Sequence, residues 1–203
     1  MAPDEYLTIR RITGPQVIRV KGSRFISCLY PVTGADQVPG ILEELRREFH
    51  DASHICYAFH LLNRPHLPRV RYHDDGEPSL TAGQPILREI EGAGLTNVLL
   101  TVVRYFGGTK LGCGGLTRAY RDAARAVIDT ARTIPFRPQT RLTVKAPFSL
   151  TGEVMAIINK HDLSVIYRHY RPDGMEITLS IDQENADGVR HLFAGMHIQL
   201  DPT

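Results

Sequence analysis

The sequence predicts an α+β protein with two domains, and three patterns support this prediction. The first is the apolar, largely β-branched run Val98–Val103, which is typical of a strand buried on both faces. The second is a glycine-rich segment, followed by a helical pattern, that comes directly after this run. The third is a proline-interrupted stretch at residues 134–138, where we place a linker. We therefore expect one domain over residues 1–134 and a second over residues 139–203.

Within the first domain, side-chain periodicity predicts the neighbouring elements. Strict alternation over residues 54–61 predicts a strand, and apolar residues four apart over residues 41–49 predict an amphipathic helix. Pro85 suits the first turn of another helix, which Gly92 and Gly94 would end. Further short strands are expected at residues 6–12, at residues 16–20 and at the end of a loop over residues 63–73.

The second domain shows a regular succession of short elements. The predicted elements are a strand at Leu142–Pro147, a helix at Thr151–His161, strands at Leu163–Tyr170 and Met175–Ile181, a helix at Asn185–Phe193 and a strand at Met196–Leu200. The order β-α-β-β-α-β is the ferredoxin-like pattern. We therefore predict a ferredoxin-like second domain.

Composition excludes several classes of protein. An apolar fraction of 42% is ordinary for a folded chain, and no run approaches the roughly 18 apolar residues that a membrane span needs. The charged N-terminus lacks the apolar core of a secretory signal. The three cysteines form no C-x-x-C pair, which suits reduced thiols. We therefore expect a cytoplasmic protein without a membrane partner and without a cofactor.

Positive charge is concentrated although the net charge is only +2. Six basic residues but only two acidic ones fall between Arg104 and Arg132, and a smaller patch contains Lys21 and Arg24. Such clustering favours an anionic partner. The alternative is a solvated helix face, because Arg118 and Asp122 have the spacing of an i,i+4 ion pair, as do Arg125 and Asp129.

The glycine-rich segment is a candidate anion site. It contains Gly107, Gly108, Gly112, Gly114 and Gly115. Backbone N–H groups and a helix N-terminus would favour an anion there, and Arg104, Lys110 and Arg118 frame the segment. The alternative is that the glycines only allow tight packing of the strand on the helix. Neither the P-loop motif nor the dinucleotide motif is matched, so a nucleotide site lacks a signature.

An acidic turn precedes the second helix and contains Asp74, Asp75, Gly76 and Glu77. Its carboxylates could hold Mg²⁺ or act as acid and base, but such residues also belong to ordinary turn chemistry. Because Arg104 ends a buried strand, its charge needs a partner, which one of these carboxylates could supply. With no matched base or nucleophile nearby, we predict no catalytic residue.

Two further groups of residues have a possible chemical role. Three residues of types that bind zinc lie on one face of a predicted strand: His54, Cys56 and His60. Strand alternation alone also explains this pattern. Cys113 lies near a helix N-terminus, where a thiol pKa can fall, but a packed thiol is the simpler interpretation. We therefore predict no metal site.

Two segments together resemble the signature of the IMPACT family. The first is Asp74–Ser79 followed by Thr81–Leu87, and the second runs from Val103 through Lys110-Leu111-Gly112 to Arg118-Ala119-Tyr120. The likeness covers about residues 15–133. This sequence has Leu80 where the family usually has glycine, and it also departs at Thr109 and Cys113.

The resemblance implies a fold and a role. It implies a first domain with the ribosomal-protein-S5-domain-2-like fold and, with the ferredoxin-like tail, a likeness to the last two domains of the translocation elongation factor. Eukaryotic relatives regulate translation through a protein partner of an amino-acid-starvation kinase, and they carry an extra N-terminal domain. For the bacterial YigZ-like branch, the implied role is binding of nucleic acid or ribosomes.

The leading hypothesis is a non-enzymatic protein that binds RNA or the ribosome and regulates translation. The phosphate-contacting residues would be Lys21, Arg24, Lys110, Arg118 and Arg121. One alternative is a nucleotide-binding enzyme of the small-metabolite kinase type that uses the glycine-rich segment. Another is a protein-binding regulator that uses the second domain as its docking face. The sequence does not specify an oligomeric state.

Overall fold

We describe residues 6–62, 68–196 and 198–202 from a computed structural model of the chain. The chain forms two compact units, of which the first ends at Phe136 and the second begins at Arg137. The predicted loop at residues 63–67 lies outside the described residues. Across the described ranges, no helix has both the length and the apolar character that crossing a membrane requires.

The N-terminal unit contains seven strands and three helices in its described part. These are β1 (Tyr6–Ile9), β2 (Thr13–Val20), β3 (Ser23–Pro31), α1 (Gln37–Glu48), β4 (His54–Leu61), β5 (Arg69–His73), α2 (Gly83–Gly92), β6 (Val98–Tyr105), α3 (Gly112–Ile128) and β7 (Thr133–Phe136). Five strands form one antiparallel sheet in the order β2-β3-β6-β4-β5. The sequence-predicted strand at Val98–Val103 is therefore its central strand.

Two apolar layers enclose β6, which confirms that this strand is buried on both faces. Val98, Leu100 and Val102 pack in the layer with α2 and α3. Leu99 and Val103 pack in the opposite layer with α1. Because side chains alternate along a strand, a central strand covered by helices on both sides is apolar at nearly every position, and the polar residue between Val98 and Val103 is the buried Thr101.

The alternation predicted for residues 54–61 is also confirmed. Cys56 and Ala58 of β4 contribute to the α2–α3 layer. Ile55, Tyr57 and Phe59 contribute to the α1 layer. The sheet therefore carries a separate core on each face.

Several predicted boundaries differ from the structure, and three of the differences have a clear physical reason. The expected linker at 134–138 includes β7, which pairs with β1 and places Pro135 opposite Leu7. Proline is tolerated there because a two-stranded sheet consists of edge strands. Helix α3 begins at Gly112, so three of the signature glycines belong to its first turn and not to a loop. Helix α1 includes Pro39 in its first turn, where a missing N–H costs no helical hydrogen bond.

The C-terminal unit has the β-α-β-β-α-β order that the sequence predicts. Its elements are β8 (Gln139–Ala146), α4 (Thr151–Lys160), β9 (Ser164–Arg171), β10 (Gly174–Asp182), α5 (Ala186–Leu192) and β11 (Gln199–Pro202). The strands form an antiparallel sheet in the order β11-β8-β10-β9. Val154 and Ile158 of α4 and Val189 of α5 share one core with β8 and β10.

The central strand offers a direct test of this architecture. Leu100 of β6 is fully buried in the layer that the sheet forms with α2 and α3, so Leu100→Ala leaves a cavity. We expect a loss of about 2–5 kcal/mol in the free energy of unfolding of the N-terminal unit. Urea unfolding measures it, with Val17→Ala on the exposed face of β2 as the control. A loss no greater than that of the control would contradict the assignment of β6 as the central strand.

Candidate functional site

A buried ion pair connects the two signature segments. Arg104, at the end of β6, is 5% exposed, and Glu77, in the acidic turn, is 8% exposed. Arg104 Nη1 donates to Glu77 Oε1 at 2.5 Å. Arg104 Nη2 also lies 3.4 Å from Ser23 Oγ. The carboxylate partner that the sequence suggested for Arg104 is therefore Glu77, and this guanidinium does not face an anion in solvent.

Helix α3 joins the same cluster through Tyr120. Tyr120 Oη donates to Glu77 Oε1 at 2.7 Å, and Cys56 Sγ lies 3.4 Å from Tyr120 Oη. Burial raises the pKa of Tyr120, and the neighbouring Cys56 and Glu77 raise it further. Burial likewise raises the pKa of the Cys56 thiol. Both groups stay protonated at neutral pH, so the cluster contains neither a phenolate nor a thiolate nucleophile.

Asp74 binds the N-terminus of α2. Its Oδ1 accepts hydrogen bonds from the backbone N–H groups of Ala82 at 3.0 Å and Gly83 at 2.8 Å. Its Oδ2 accepts one from the N–H of Leu80 at 2.9 Å. A carboxylate is stabilised at a helix N-terminus, where N–H groups are unpaired and the helix dipole is positive. Asp74 is thus occupied as a helix cap.

Asp75 links the acidic turn to the first residues of β4. Its Oδ2 accepts from the N–H of Ile55 at 2.7 Å, and its carbonyl oxygen lies 2.8 Å from His54 Nδ1. Because a carbonyl can only accept, His54 Nδ1 is the donor in that contact. The three signature carboxylates therefore all make intramolecular hydrogen bonds.

The backbone geometry at Leu80 explains why the family usually has glycine at this position. Its φ angle is +64°, in the left-handed region that glycine adopts without steric cost. The chain keeps this conformation with leucine because the N–H of Leu80 is held by Asp74. The side chain is 48% exposed and contributes little to packing. The family's glycine is thus accounted for by backbone geometry.

Two glycines interlock between the β2–β3 turn and the end of β6. A Cβ on Gly107 would lie 1.9 Å from the carbonyl carbon of Gly22, so no other residue fits. The turn consists of Lys21 and Gly22, both with positive φ as in a type I′ hairpin. The N–H of Gly107 donates to Ser23 Oγ at 3.1 Å. This contact places Lys21 beside the glycine-rich segment.

The basic residues expected to contact phosphates are solvent-accessible. Lys21, Lys110, Arg118 and Arg121 are exposed, and Arg24 is half-buried with its guanidinium 4.3 Å from the Tyr105 ring centroid. Within the described part of the chain, Lys21, Lys110 and Arg118 have no ion-pair partner. Lys21 and Arg24 lie at the glycine interlock, whereas the other three lie at the start of α3 and along it.

The expected i,i+4 ion pairs on α3 are replaced by other pairs. Asp122 pairs with its neighbour Arg121 at 3.3 Å and leaves Arg118 unpaired among the described residues. Arg125 pairs with Glu89 of α2 at 3.0 Å. Arg125 therefore holds two helices together, and Arg118 provides free positive charge.

Phe106 is the residue of this surface that sequence reasoning missed. It directly follows β6 and is 50% exposed. The Arg104 guanidinium carbon lies 5.7 Å from the centroid of its ring. The sequence signal that could have identified Phe106 was a large aromatic residue directly before two glycines, at the end of a strand.

The residues considered as zinc ligands make hydrogen-bond contacts with other protein groups. His60 Nδ1 lies 3.1 Å from Thr96 Oγ1, and Cys56 Sγ lies 3.0 Å from the carbonyl oxygen of Asp74. Across the described residues, no group of three or more His, Cys, Asp or Glu side chains has the arrangement of a metal site. Cys113 is exposed in the first turn of α3.

The buried pair can be tested by an isosteric substitution. In Glu77→Gln, Arg104 keeps its buried charge without a counter-charge. We expect a loss of about 3–5 kcal/mol in the free energy of unfolding, measured by urea denaturation. Glu43→Gln is the matched control, because it breaks the exposed pair with Arg47 and should cost at most about 1 kcal/mol. Equal effects of the two substitutions would contradict a structural role for the buried pair.

Backbone strain at Leu80 gives a prediction of opposite sign. Leu80→Gly removes a left-handed penalty of about 1–2 kcal/mol, against a glycine entropy cost of about 0.5–1 kcal/mol. We expect a net gain in stability of up to about 1 kcal/mol, measured by thermal unfolding. Leu80→Ala keeps a Cβ at the same φ and should give no gain. A loss of stability in Leu80→Gly would show that the leucine side chain, and not its backbone, determines the energetics.

Comparison with known proteins identifies the family. The Impact N-terminal domain matches residues 21–128, which is more than half of the chain. The chain is 34% identical over 162 residues to an IMPACT family member in the pol 5′ region of Thermus thermophilus, covering 80% of this chain and 86% of that protein. It is 32% identical over 155 residues to the IMPACT family member YigZ of Escherichia coli (strain K12), covering 76% of each chain.

A solved structure supports the same relationship across both units. The crystal structure of a hypothetical protein aligns with a TM-score of 0.72 at 28% identity and covers 97% of this chain and 96% of that one. The mixed α/β, two-unit architecture is therefore shared along the length of the chain. The two signature segments, the domain match and the relatives agree: this protein belongs to the IMPACT family.

Proposed function

We propose that this protein is a non-enzymatic regulator of translation that binds RNA, alone or within the ribosome, through a basic surface of its N-terminal unit. The surface comprises Lys21, Arg24, Lys110, Arg118 and Arg121. Its location would be the cytoplasm, where ribosomes are found. The role agrees with what membership in the family implies.

The observation that carries the proposal is a difference between acidic and basic side chains: the carboxylates have partners within the protein, whereas several exposed cations do not. The carboxylates of the acidic turn are held by intramolecular hydrogen bonds from backbone N–H groups, Arg104 and Tyr120. By contrast, Lys21, Lys110 and Arg118 are exposed without ion-pair partners among the described residues. The exposed cations are unpaired and the carboxylates of the acidic turn are already hydrogen-bonded within the protein. This combination favours an anionic polymer as the partner.

The same observation makes the kinase alternative less favourable. A nucleotide-using enzyme needs carboxylates available for Mg²⁺ or for proton transfer, and Asp74 and Asp75 both serve as acceptors for backbone N–H groups. The N-terminus of α3 has no side-chain cap, which keeps anion binding there possible. Calorimetric titration with magnesium and nucleotide distinguishes the two functions, and heat at micromolar nucleotide would favour the kinase.

A protein-binding regulator is favoured by one feature of the C-terminal unit. Strand β9 lies at the edge of its sheet, and all eight of its residues are exposed. An exposed edge strand can accept a strand from a partner protein. Ribosome co-sedimentation before and after nuclease treatment separates protein contacts from RNA contacts.

We also propose specific fold assignments. The N-terminal unit has a ribosomal-protein-S5-domain-2-like fold, and the C-terminal unit is ferredoxin-like. The second assignment is supported by the antiparallel strand order β11-β8-β10-β9 with both helices in one core.

Removal of two cations tests the proposed RNA surface. We expect Lys110→Ala/Arg118→Ala to weaken binding of a single-stranded oligoribonucleotide, because two phosphate contacts are lost. The slope of log K against log salt should decrease by about 0.7 per contact, or about 1.4 in all. Fluorescence anisotropy across a salt series measures both quantities.

A matched control keeps the net charge equal. Arg141→Ala/Lys160→Ala removes two exposed cations of the C-terminal unit and should leave the salt slope unchanged. If the wild-type protein binds no RNA even at low salt, the proposed function is wrong. If both double variants weaken binding equally, the RNA is held by net charge and not by this surface.

A further inference from the structure

We propose that Phe106 is a base-stacking platform and that the RNA bound at this surface is therefore single-stranded. This inference rests on the proposed function, and it specifies the class of ligand. It follows from the position, the support and the surroundings of one exposed aromatic ring.

The ring of Phe106 is exposed on one side and supported on the other. Half of the side chain is accessible, although phenylalanine is usually buried. The Arg104 guanidinium carbon lies over the ring at 5.7 Å from its centroid. Since Arg104 is itself buried and bound to Glu77, one face of the ring rests on a fixed group. About half of the surface of Phe106 remains accessible to solvent, which leaves room for a base to contact the ring.

The backbone on each side of Phe106 is fixed. The N–H of Phe106 donates to Ser53 Oγ at 3.1 Å. The next residue, Gly107, is locked against Gly22 by direct backbone contact, and its N–H is bound by Ser23. An aromatic ring held in this way loses little conformational freedom when a ligand binds, which favours its use as a binding platform.

The charges around Phe106 complement a nucleic-acid backbone. Lys21 is exposed beside Gly22, which contacts Gly107. Arg24 packs over Tyr105, the residue before Phe106, and the Tyr105 hydroxyl donates to Asp51 Oδ1 at 2.7 Å. The Asp51 carboxylate is therefore engaged by the Tyr105 hydroxyl. Lys110 follows four residues after Phe106 and is exposed.

Aromatic rings among cations are typical of surfaces that bind single strands. Bases of a single strand can stack on the ring while the cations contact the phosphates. In a duplex the bases are already stacked and paired, so they are not available to the ring. The combination at Phe106 therefore selects unpaired nucleotides.

The test compares Phe106→Leu with Phe106→Tyr. Leucine keeps an apolar cover over Arg104 but removes the aromatic face, whereas tyrosine keeps it. We expect Phe106→Leu to weaken binding of a fluorescent single-stranded 12-mer RNA by about tenfold, because stacking contributes on that scale per base. Phe106→Tyr should bind within about twofold of the wild type. Thermal unfolding of both variants monitors the structural role of the ring.

An abasic oligomer of the same length separates stacking from charge. It presents the same phosphates without bases, so Phe106→Leu and the wild type should bind it equally. Lys110→Ala/Arg118→Ala should weaken binding of both oligomers. If the wild type binds RNA and Phe106→Leu binds the 12-mer equally well, the stacking role is wrong and the proposed function stands. If the wild type binds neither oligomer, both proposals are wrong.

Two other results would also overturn the stacking role. Loss of abasic-oligomer binding together with a lower melting temperature in Phe106→Leu would make the ring only a structural cover for Arg104. Loss of co-sedimentation with nuclease-treated ribosomes, with RNA-oligomer binding unchanged, would make it a contact for protein.

Discussion

The buried Glu77–Arg104 pair is the interaction on which the geometry of the N-terminal unit depends. It joins three segments that are distant in sequence, because Arg104 ends β6, Glu77 belongs to the acidic turn, and Tyr120 of α3 donates to the same carboxylate. A desolvated ion pair is tolerated when its geometry is good and further hydrogen bonds support it, which Tyr120 and Ser23 provide here, and among the described residues only Arg104 Nε of this pair has no partner. This explains why the family signature falls in two separate segments that meet in space.

The pair also determines which charges reach the surface. Asp74 and Asp75 bind backbone N–H groups of α2 and β4, and Glu77 is neutralised by Arg104. A chain with a net charge of only +2 can then present a surface that is locally positive. Net charge is therefore a poor guide to the local surface charge, whereas the hydrogen bonds made by individual carboxylates are informative.

The sequence predicted the elements in which periodicity is strong and failed where side chains give no pattern. Residues 98–103 were assigned correctly because five of the six are apolar, and residues 54–61 because their side chains alternate between the two faces of the sheet. The first turn of α3 was taken for a loop because glycines carry no periodic signal, and β7 was taken for part of a linker because of Pro135 within it and Pro138 just after it. The choice of Glu77 as the partner of Arg104, over Asp74 and Asp75, depends on distances that no sequence pattern contains.

The contact between Gly22 and Gly107 shows how two glycines can fix the positions of neighbouring side chains. It fixes the β2–β3 turn against the segment that follows β6, so Lys21, Arg24 and Phe106 keep one relative arrangement. Because ordering flexible groups opposes association, cations and a ring held in place before binding bind more tightly than the same groups on mobile loops. On this argument the requirement for glycine at position 107 is geometric, because a Cβ there would overlap the Gly22 backbone. The glycines would then support the proposed RNA surface by positioning other residues, without any contact from their own N–H groups.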